Sequence, residues 1–190
     1  AFALLLILSP LIAIVSIGIS FDSPGEVLFR QTRTGKDGRP FILLKFRTMK
    51  AEPAEIFADT IKQNPALSQE YNQYQKLAND PRLTRFGGVL RRFSLDEIPQ
   101  LWNVIRGEMS LVGPRPFLPE QAGLYGAGLG LYYQVRPGLT GLWQVSGRNQ
   151  LSFQQRAEHD CDYLSRWSLW KDLTILARTP GAVLWGRGAY

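Results

Sequence analysis

Histidine and cysteine are nearly missing from this 190-residue chain, which has one of each, His159 and Cys161. A single cysteine rules out an internal disulfide framework and fits a reducing compartment. A single histidine argues against a His-based zinc site and excludes any mechanism that needs two histidines. Both residues read as packing groups. The chain has no initiating methionine and begins at Ala1, as a fragment or processed form would. It shows no internal repeat, coiled-coil heptad or low-complexity tract. Gly123, Gly126, Gly128 and Gly130 lack the order of a P-loop, so residues 123–131 read as a flexible loop.

Charge is absent from residues 1–21. An uncharged run of about 20 apolar residues is long enough to cross a bilayer. A signal peptide would need a basic start and a small-residue cleavage site, and neither is present. A buried core helix is a weaker alternative, because the run is apolar on every face. Ser9-Pro10 lies in its middle. Proline removes a helical hydrogen bond and kinks the axis, and the Ser9 hydroxyl can satisfy the carbonyl so freed. Periodicity does not separate a kinked span from a re-entrant hairpin.

Elsewhere the composition is that of one folded domain, 45% hydrophobic and 20% charged. The balance of 22 Lys+Arg against 16 Asp+Glu gives a net charge of +6. That suits a phosphate-rich ligand, an anionic membrane surface or nucleic acid. No helix-turn-helix, RNA-recognition or zinc pattern supports nucleic acid, and the apolar start favours lipid.

Glu26–Gln31 and Phe41–Met49 read as two strands joined by the turn 35–40, a hairpin with Lys45 and Arg47 on one face. Residues 52–79 read as one or two surface helices broken at Asn64-Pro65. Thr84–Phe93 is an amphipathic helix with Phe86, Val89, Leu90 and Phe93 inward. Met109–Val112 is a further strand. Pro114-Arg115-Pro116 holds one arginine rigidly, as bidentate phosphate recognition requires. Residues 136–149 form a turn-dense basic segment in which backbone N–H groups, Arg136 and Arg148 suit a diphosphate. Phe153–Leu164 and Ser168–Leu184 read as helices. Trp167, Trp170 and Trp185 lie among basic residues, as at a membrane interface or in a core. The class is α+β, with short strands among amphipathic helices. Two parts are expected, a membrane helix at 1–21 and a folded domain at 22–190 that the acid pair and the resemblance below make the catalytic one.

Ser94-Leu-Asp-Glu-Ile-Pro-Gln-Leu-Trp-Asn-Val-Ile-Arg-Gly107 is central. Leu95, Ile98, Leu101, Trp102 and Ile105 recur at helical spacing. Ser94 stands at the N-cap position and Asp96 and Glu97 in the first turn, at the positive end of the helix dipole. Ser94-x-x-Glu97 is also a capping box, a purely structural device. Arg91, Arg92 and Arg115 surround the acids in sequence. A carboxylate pair among cations suits chemistry on phosphorus, one acid attacking and the other helping to hold a divalent metal.

Three stretches, Lys45-Phe-Arg-Thr-Met49, residues 94–116 and residues 136–149, resemble the bacterial sugar transferases, the monotopic polyprenyl-phosphate phosphoglycosyl transferases. The tail, with Trp167-Ser-Leu-Trp170, is most similar to undecaprenyl-phosphate galactose phosphotransferases of exopolysaccharide and O-antigen assembly. The resemblance implies transfer of a sugar 1-phosphate from a UDP-sugar to undecaprenyl phosphate, with release of UMP, at the cytoplasmic face of the bacterial inner membrane. It implies Asp96 as nucleophile in a ping-pong cycle, Glu97 (with Asp96 beside it) holding Mg²⁺, and a re-entrant helix broken at Ser9-Pro10.

The phosphate-binding candidates are Lys45, Arg47, Arg91, Arg92, Arg115, Arg136 and Arg148, with Lys45, Arg92, Arg115 and Arg148 foremost. Asp160, Tyr163 and Asp172 match family positions in a supporting role. The basic residues that usually precede the family's membrane helix are not in this chain, and nothing of the extra N-terminal helices and regulatory domain of larger members is visible. Galactose is favoured by resemblance, with glucose and N-acetylhexosamine as alternatives. A catalytically silent membrane scaffold is the competing class, and exposed aromatics leave a homodimer open.

Overall fold

The computed structural model describes residues 1–75, 77–147 and 151–185. It is α+β, as the sequence implies. Helix α1 (Phe2–Asp22) runs unbroken through Pro10. The missing N–H of Pro10 would have bonded the carbonyl four residues back, at Leu6. The Ser9 hydroxyl donates to that carbonyl instead, at 2.8 Å. Val15 and Ile19 are buried, whereas Leu6, Ile7, Ile14, Ile17 and Phe21 are exposed. A helix long and apolar enough to cross a membrane thus shows most of its surface to the surroundings.

Strands β1 (Leu28–Thr34) and β2 (Pro40–Phe46) form the expected antiparallel hairpin, with Leu28 opposite Phe46. The second strand stops at Phe46 rather than Met49, so Lys45 and Arg47 do not share a strand face. Helices α2 (Pro53–Gln63) and α3 (Pro65–Tyr74) meet at Asn64, whose side chain caps α3 through Ala66 and Leu67 N–H groups. Helix α4 (Arg85–Arg92) is capped by Thr84. Phe86 and Leu90, four residues apart, pack against α1 with Phe46. Val89, expected inward, is instead 48% exposed, because so short a helix buries only one edge.

The central stretch departs further from expectation. Residues Leu95–Glu97 make a single 3₁₀ turn, and α5 (Gln100–Ile105) begins only after Pro99. Ser94 has a left-handed backbone (φ 51°) and makes no side-chain capping hydrogen bond, so the capping box does not form. Pro99 explains the break, since it cannot donate into a continuous helix from 95 to 105. Leu101 is buried, whereas Trp102 and Ile105 are exposed.

Strands β3 (Ser110–Val112) and β4 (Gly138–Thr140) pair in parallel. The glycine-rich segment is not a loose loop. Residues Pro119–Gly128 form a 3₁₀ stretch leading into α6 (Leu129–Tyr132). Its tyrosines explain the order: Tyr125 and Tyr132 pack with Phe117 into an aromatic cluster, and Tyr132 donates to the Thr34 carbonyl at 2.7 Å. The turn-dense segment likewise folds into β4 and α7 (Leu142–Ser146). Helices α8 (Phe153–Ser165) and α9 (Leu169–Trp185) close the fold, with Val112, Tyr163 and Ile175 between them and β3. Trp167 and Trp170 lie exposed at the start of α9, not in the core.

Candidate active site

Asn103 sets the position of the acidic turn. It is fully buried and locks α5 onto β2, accepting from Leu44 N–H (3.1 Å) and donating to the Ile42 carbonyl (2.7 Å) and Glu108 (2.6 Å). The 3₁₀ turn preceding α5 therefore lies against the end of β2, where Lys45 projects. Lys45 Nζ is 2.8 Å from Glu97 Oε1 and 3.5 Å from Asp96 Oδ2. Arg115, held between its two prolines after β3, reaches the same carboxylate, with Nη2 against Glu97 Oε1 and Nη1 3.4 Å from Oε2.

The two acids are consequently unlike. Both are nearly buried. Desolvation alone would raise Glu97, but Arg115 and Lys45 outweigh it and hold its carboxyl far below the ordinary range. Burial pushes Asp96 up, Lys45 pulls against it, and the neighbouring Glu97 charge adds to the rise. Glu97 is a fixed anion clamped by two cations. Asp96 has one long contact and the more basic carboxyl. The helix dipole expected to keep Asp96 ionised is not what governs it, since the acids sit on one 3₁₀ turn.

These residues line a cavity of about 780 Å³. One part of its lining is apolar, from Leu4, Leu8 and Leu11 of α1 and Leu176 and Val183 of α9. The other is polar and carries Arg33, Arg91, Arg115, Arg156 and Asp160. Arg91 donates to Thr48 Oγ1 (3.1 Å) and lies 4.0 Å from Asp80, which also holds Arg82. Asp160 is buried and accepts from the Tyr125 hydroxyl at 2.7 Å. Burial raises its carboxyl to about 8, against the pull of that hydroxyl and of Arg115.

Of the sequence candidates, the structure gathers Lys45, Arg91, Asp96, Glu97, Arg115 and Asp160 in one cavity. It leaves others outside. Arg47 donates to the Ser23 carbonyl at the end of α1, because its strand has already ended. Arg92, foremost in sequence, lies 5.7 Å from the centroid of the Phe93 ring and does not line the cavity, whereas Arg91 and Phe93 do. Arg136 packs near Gly107. Tyr163 donates to Asp172 at 2.7 Å and Trp167 Nε1 to the same carboxylate at 3.2 Å, a pin between α8 and α9 off the cavity. Arg148 lies outside the described residues. Arg33 and Arg156 also line the cavity and escaped the sequence reading. Neither falls in a motif, and only the packing of β1 and α8 brings them in.

A Mg²⁺ ion fits the acid pair by its donor chemistry. Mg²⁺ uses one or two carboxylates together with substrate phosphates, so two acids suffice. Among the described residues Glu97 Oε2 has only the 3.4 Å contact to Arg115, which leaves it with lone-pair capacity.

The family model for bacterial sugar transferases matches residues 1–186. The chain is 44% identical over its whole length to the UDP-galactose-lipid carrier transferase of Erwinia amylovora, of which it spans 40%. It is 45% identical over 98% of its length to the exopolysaccharide production protein ExoY of Rhizobium meliloti, of which it spans 82%. It is 42% identical over 96% of its length to the UDP-glucose:undecaprenyl-phosphate glucose-1-phosphate transferase of Caulobacter vibrioides, of which it spans 66%. With its acid pair clamped among cations beside an apolar helix, the chain belongs to the bacterial sugar transferase family.

Proposed function

We propose that this protein transfers a hexose 1-phosphate from a UDP-hexose to undecaprenyl phosphate through an aspartyl phosphosugar on Asp96. The observation that carries the reading is the inequality of the two acids. Glu97 is neutralised and immobilised by Lys45 and Arg115, whereas Asp96 faces the cavity with a more basic carboxylate. The Asp96 oxygen attacks the β-phosphorus of the donor, the bond from that phosphorus to the bridging oxygen breaks, and UMP leaves. An oxygen of the lipid phosphate then attacks the same phosphorus and releases Asp96. Lys45, Arg91 and Arg115 balance the phosphate charge. Glu97 with Asp96 would hold a Mg²⁺ ion, which would supply Lewis-acid neutralisation of phosphate oxygens.

The α1 wall supports a lipid acceptor, because its leucines continue directly into the cavity that holds Asp96. The Ser9–Leu6 hydrogen bond supports placing α1 in lipid; the re-entrant course and the cytoplasmic face rest on the family resemblance, and α1 runs on through Pro10 where that resemblance implies a break. The hydrogen bond removes the cost of the Leu6 carbonyl that Pro10 would otherwise leave unpaired within lipid. A galactose donor is the first choice and glucose the second, since the relatives' names divide between them. The pathway class is exopolysaccharide or O-antigen assembly.

Mass spectrometry of the purified chain with UDP-galactose and Mg²⁺, without lipid, tests the reading. A gain of one hexose phosphate on Asp96, absent in Asp96→Asn, is expected. An adduct with UDP-glucose alone changes the sugar. No adduct with any UDP-hexose, or UMP release by Asp96→Asn, removes Asp96 from the role.

A further inference from the structure

Lys45 and Arg115 are held in the cavity by ion pairs with Glu97. Arg91 makes no such pair with either acid among the described residues, yet it lines the same cavity. It stands in the last turn of α4 on a long, flexible side chain. That side chain is only 29% exposed, so groups other than the acid pair hold it.

Two residues outside the cavity lining do so. Thr48, just beyond β2, accepts from Arg91 Nε at 3.1 Å, and Asp80 Oδ2 lies 4.0 Å from Arg91 Nη1. Both come from one crossing of the chain, where residues 80–84 run against residues 48–50. Thr84 N–H donates to the Thr48 carbonyl (3.0 Å) and Lys50 N–H to the Arg82 carbonyl (2.9 Å), and Met49 pairs with Leu83 in an isolated antiparallel bridge. Asp80 precedes Pro81 and closes a local turn, its Oδ1 accepting from Arg82 N–H at 3.1 Å. An ordinary surface turn needs no more than that. Asp80 is instead buried, its side chain 3% exposed, and accepts from Arg82 Nε and Nη2 at 2.7 and 2.6 Å. Burial would raise its carboxyl, but the Arg82 hydrogen bonds and the Arg91 charge hold it below the ordinary range. It is therefore a buried anion with two arginines against it. On Arg91, burial works against the charge, whereas Asp96 and then Asp80 support it. One guanidinium is thus shared by the reacting acid and a buried one.

We propose that Asp80, together with Thr48, is a positioning residue for the transfer, holding the Arg91 guanidinium where it meets the phosphate under attack while touching no substrate itself. This rests on the proposed transfer through Asp96. Left to itself, a cation of this reach would pair with Asp96 directly and quench the nucleophile. Anchored at Thr48 and Asp80, Arg91 lends its charge to Asp96 without a salt bridge between them among the described residues. Misplacing such a group by about 1 Å costs on the order of a hundredfold in rate.

The test follows hexose-phosphate adduct formation by mass spectrometry, in the full chain in detergent with Mg²⁺ and the UDP-hexose that labels the wild type. Asp80→Asn and Thr48→Val are compared with Phe57→Ala. Phe57 lies under the Arg82 guanidinium at 4.5 Å and packs on Tyr71, so its loss loosens the neighbouring helices and leaves the Asp80 carboxylate in place. In Asp80→Asn the rate at saturating donor is expected to fall about tenfold or more, with the half-saturating concentration within about threefold of wild type, because Arg91 serves the attacking acid. Thr48→Val is expected to change in the same sense, and Phe57→Ala to stay within about threefold. In an Arg91→Lys background, Asp80→Asn is expected to add less than about threefold. A wild-type rate in Asp80→Asn overturns the proposal. So does an equal drop in Phe57→Ala, or an undiminished effect in the Arg91→Lys background. Should Asp80→Asn not fold, Thr48→Val takes its place in each comparison. Urea midpoints of Asp80→Asn, Arg91→Gln and the double variant test the pairing without catalysis. A departure from additivity of about 0.3 M or more is expected. Non-additive midpoints with no wild-type adduct from any UDP-hexose sink the transfer reading alone, and an adduct with additive midpoints sinks the positioning of Arg91 alone.

Discussion

Asp160→Asn is the most informative perturbation of stability, because it isolates one buried ionisation. Asp160 is almost fully buried, and its Oδ2 accepts from Tyr125 at 2.7 Å. Burial raises its carboxyl from 3.8 to about 8. The folded chain therefore holds the proton over a range where the unfolded chain has lost it. Between those two values the folded state binds more protons, so stability falls as pH rises. The slope from this one group is about 1.4 kcal/mol per pH unit, or about 4 kcal/mol from pH 5 to pH 8. Asparagine keeps the acceptor for Tyr125 and has nothing to titrate.

Urea unfolding in detergent at pH 5, 6, 7 and 8 reads the effect. At a slope of about 2 kcal/mol per molar urea, the wild-type midpoint should drop about 2 M further than that of Asp160→Asn across this range. Other titrating groups act on both proteins and cancel in the difference. Parallel midpoint curves would refute the argument and mean that Asp160 is ionised in the folded chain at neutral pH.

Other consequences are equally open to measurement. Asn103→Ala strips partners from Leu44 N–H and the Ile42 carbonyl and should cost about 2–5 kcal/mol by urea unfolding, with hexose-phosphate adduct formation lost in step as the acidic turn loosens. Gly87→Ala places a Cβ 2.1 Å from the Thr48 carbonyl oxygen, so α4 must move; a drop in Tm with weaker burial of Leu90 is expected, and an unchanged Tm contradicts that contact. Ser9→Ala unpairs the Leu6 carbonyl and should destabilise the chain in nanodiscs by about 1–2 kcal/mol. Combining it with Pro10→Ala restores the backbone donor, so the double variant should regain that loss. Labelling both ends of α1 in Pro10→Ala reports whether the proline turns the chain back to one face.

Much of the site was legible in local sequence because local chemistry limits it. An uncharged run of that length has few destinations besides lipid, and Ser9 beside Pro10 is positioned by helix geometry alone to serve the Leu6 carbonyl. The hairpin, the break at Asn64-Pro65 and the rigid Arg115 follow from turn and proline chemistry in the same way. Adjacent acids in a basic context pointed to phosphate chemistry before any fold was known.

Non-local packing decided the rest. Pro99 converts the expected helix into a 3₁₀ turn, so burial and Lys45, not a helix dipole, control Asp96. The choice of Arg91 over Arg92 depends on which side of a short helix faces the cavity, and Val89 shows that apolar spacing in eight residues does not fix that side. Glycine content suggested looseness at residues 123–131, but tyrosine burial against Phe117 overrode it. Arg33 and Arg156 stand 123 residues apart and neither lies in a motif. The sequence by itself determined the long apolar helix, the acid pair and its cationic company, because each is a property of a few adjacent residues. Only the tertiary structure decided which acid is clamped and which cations reach the cavity, because those depend on distances set by packing between elements remote in the chain.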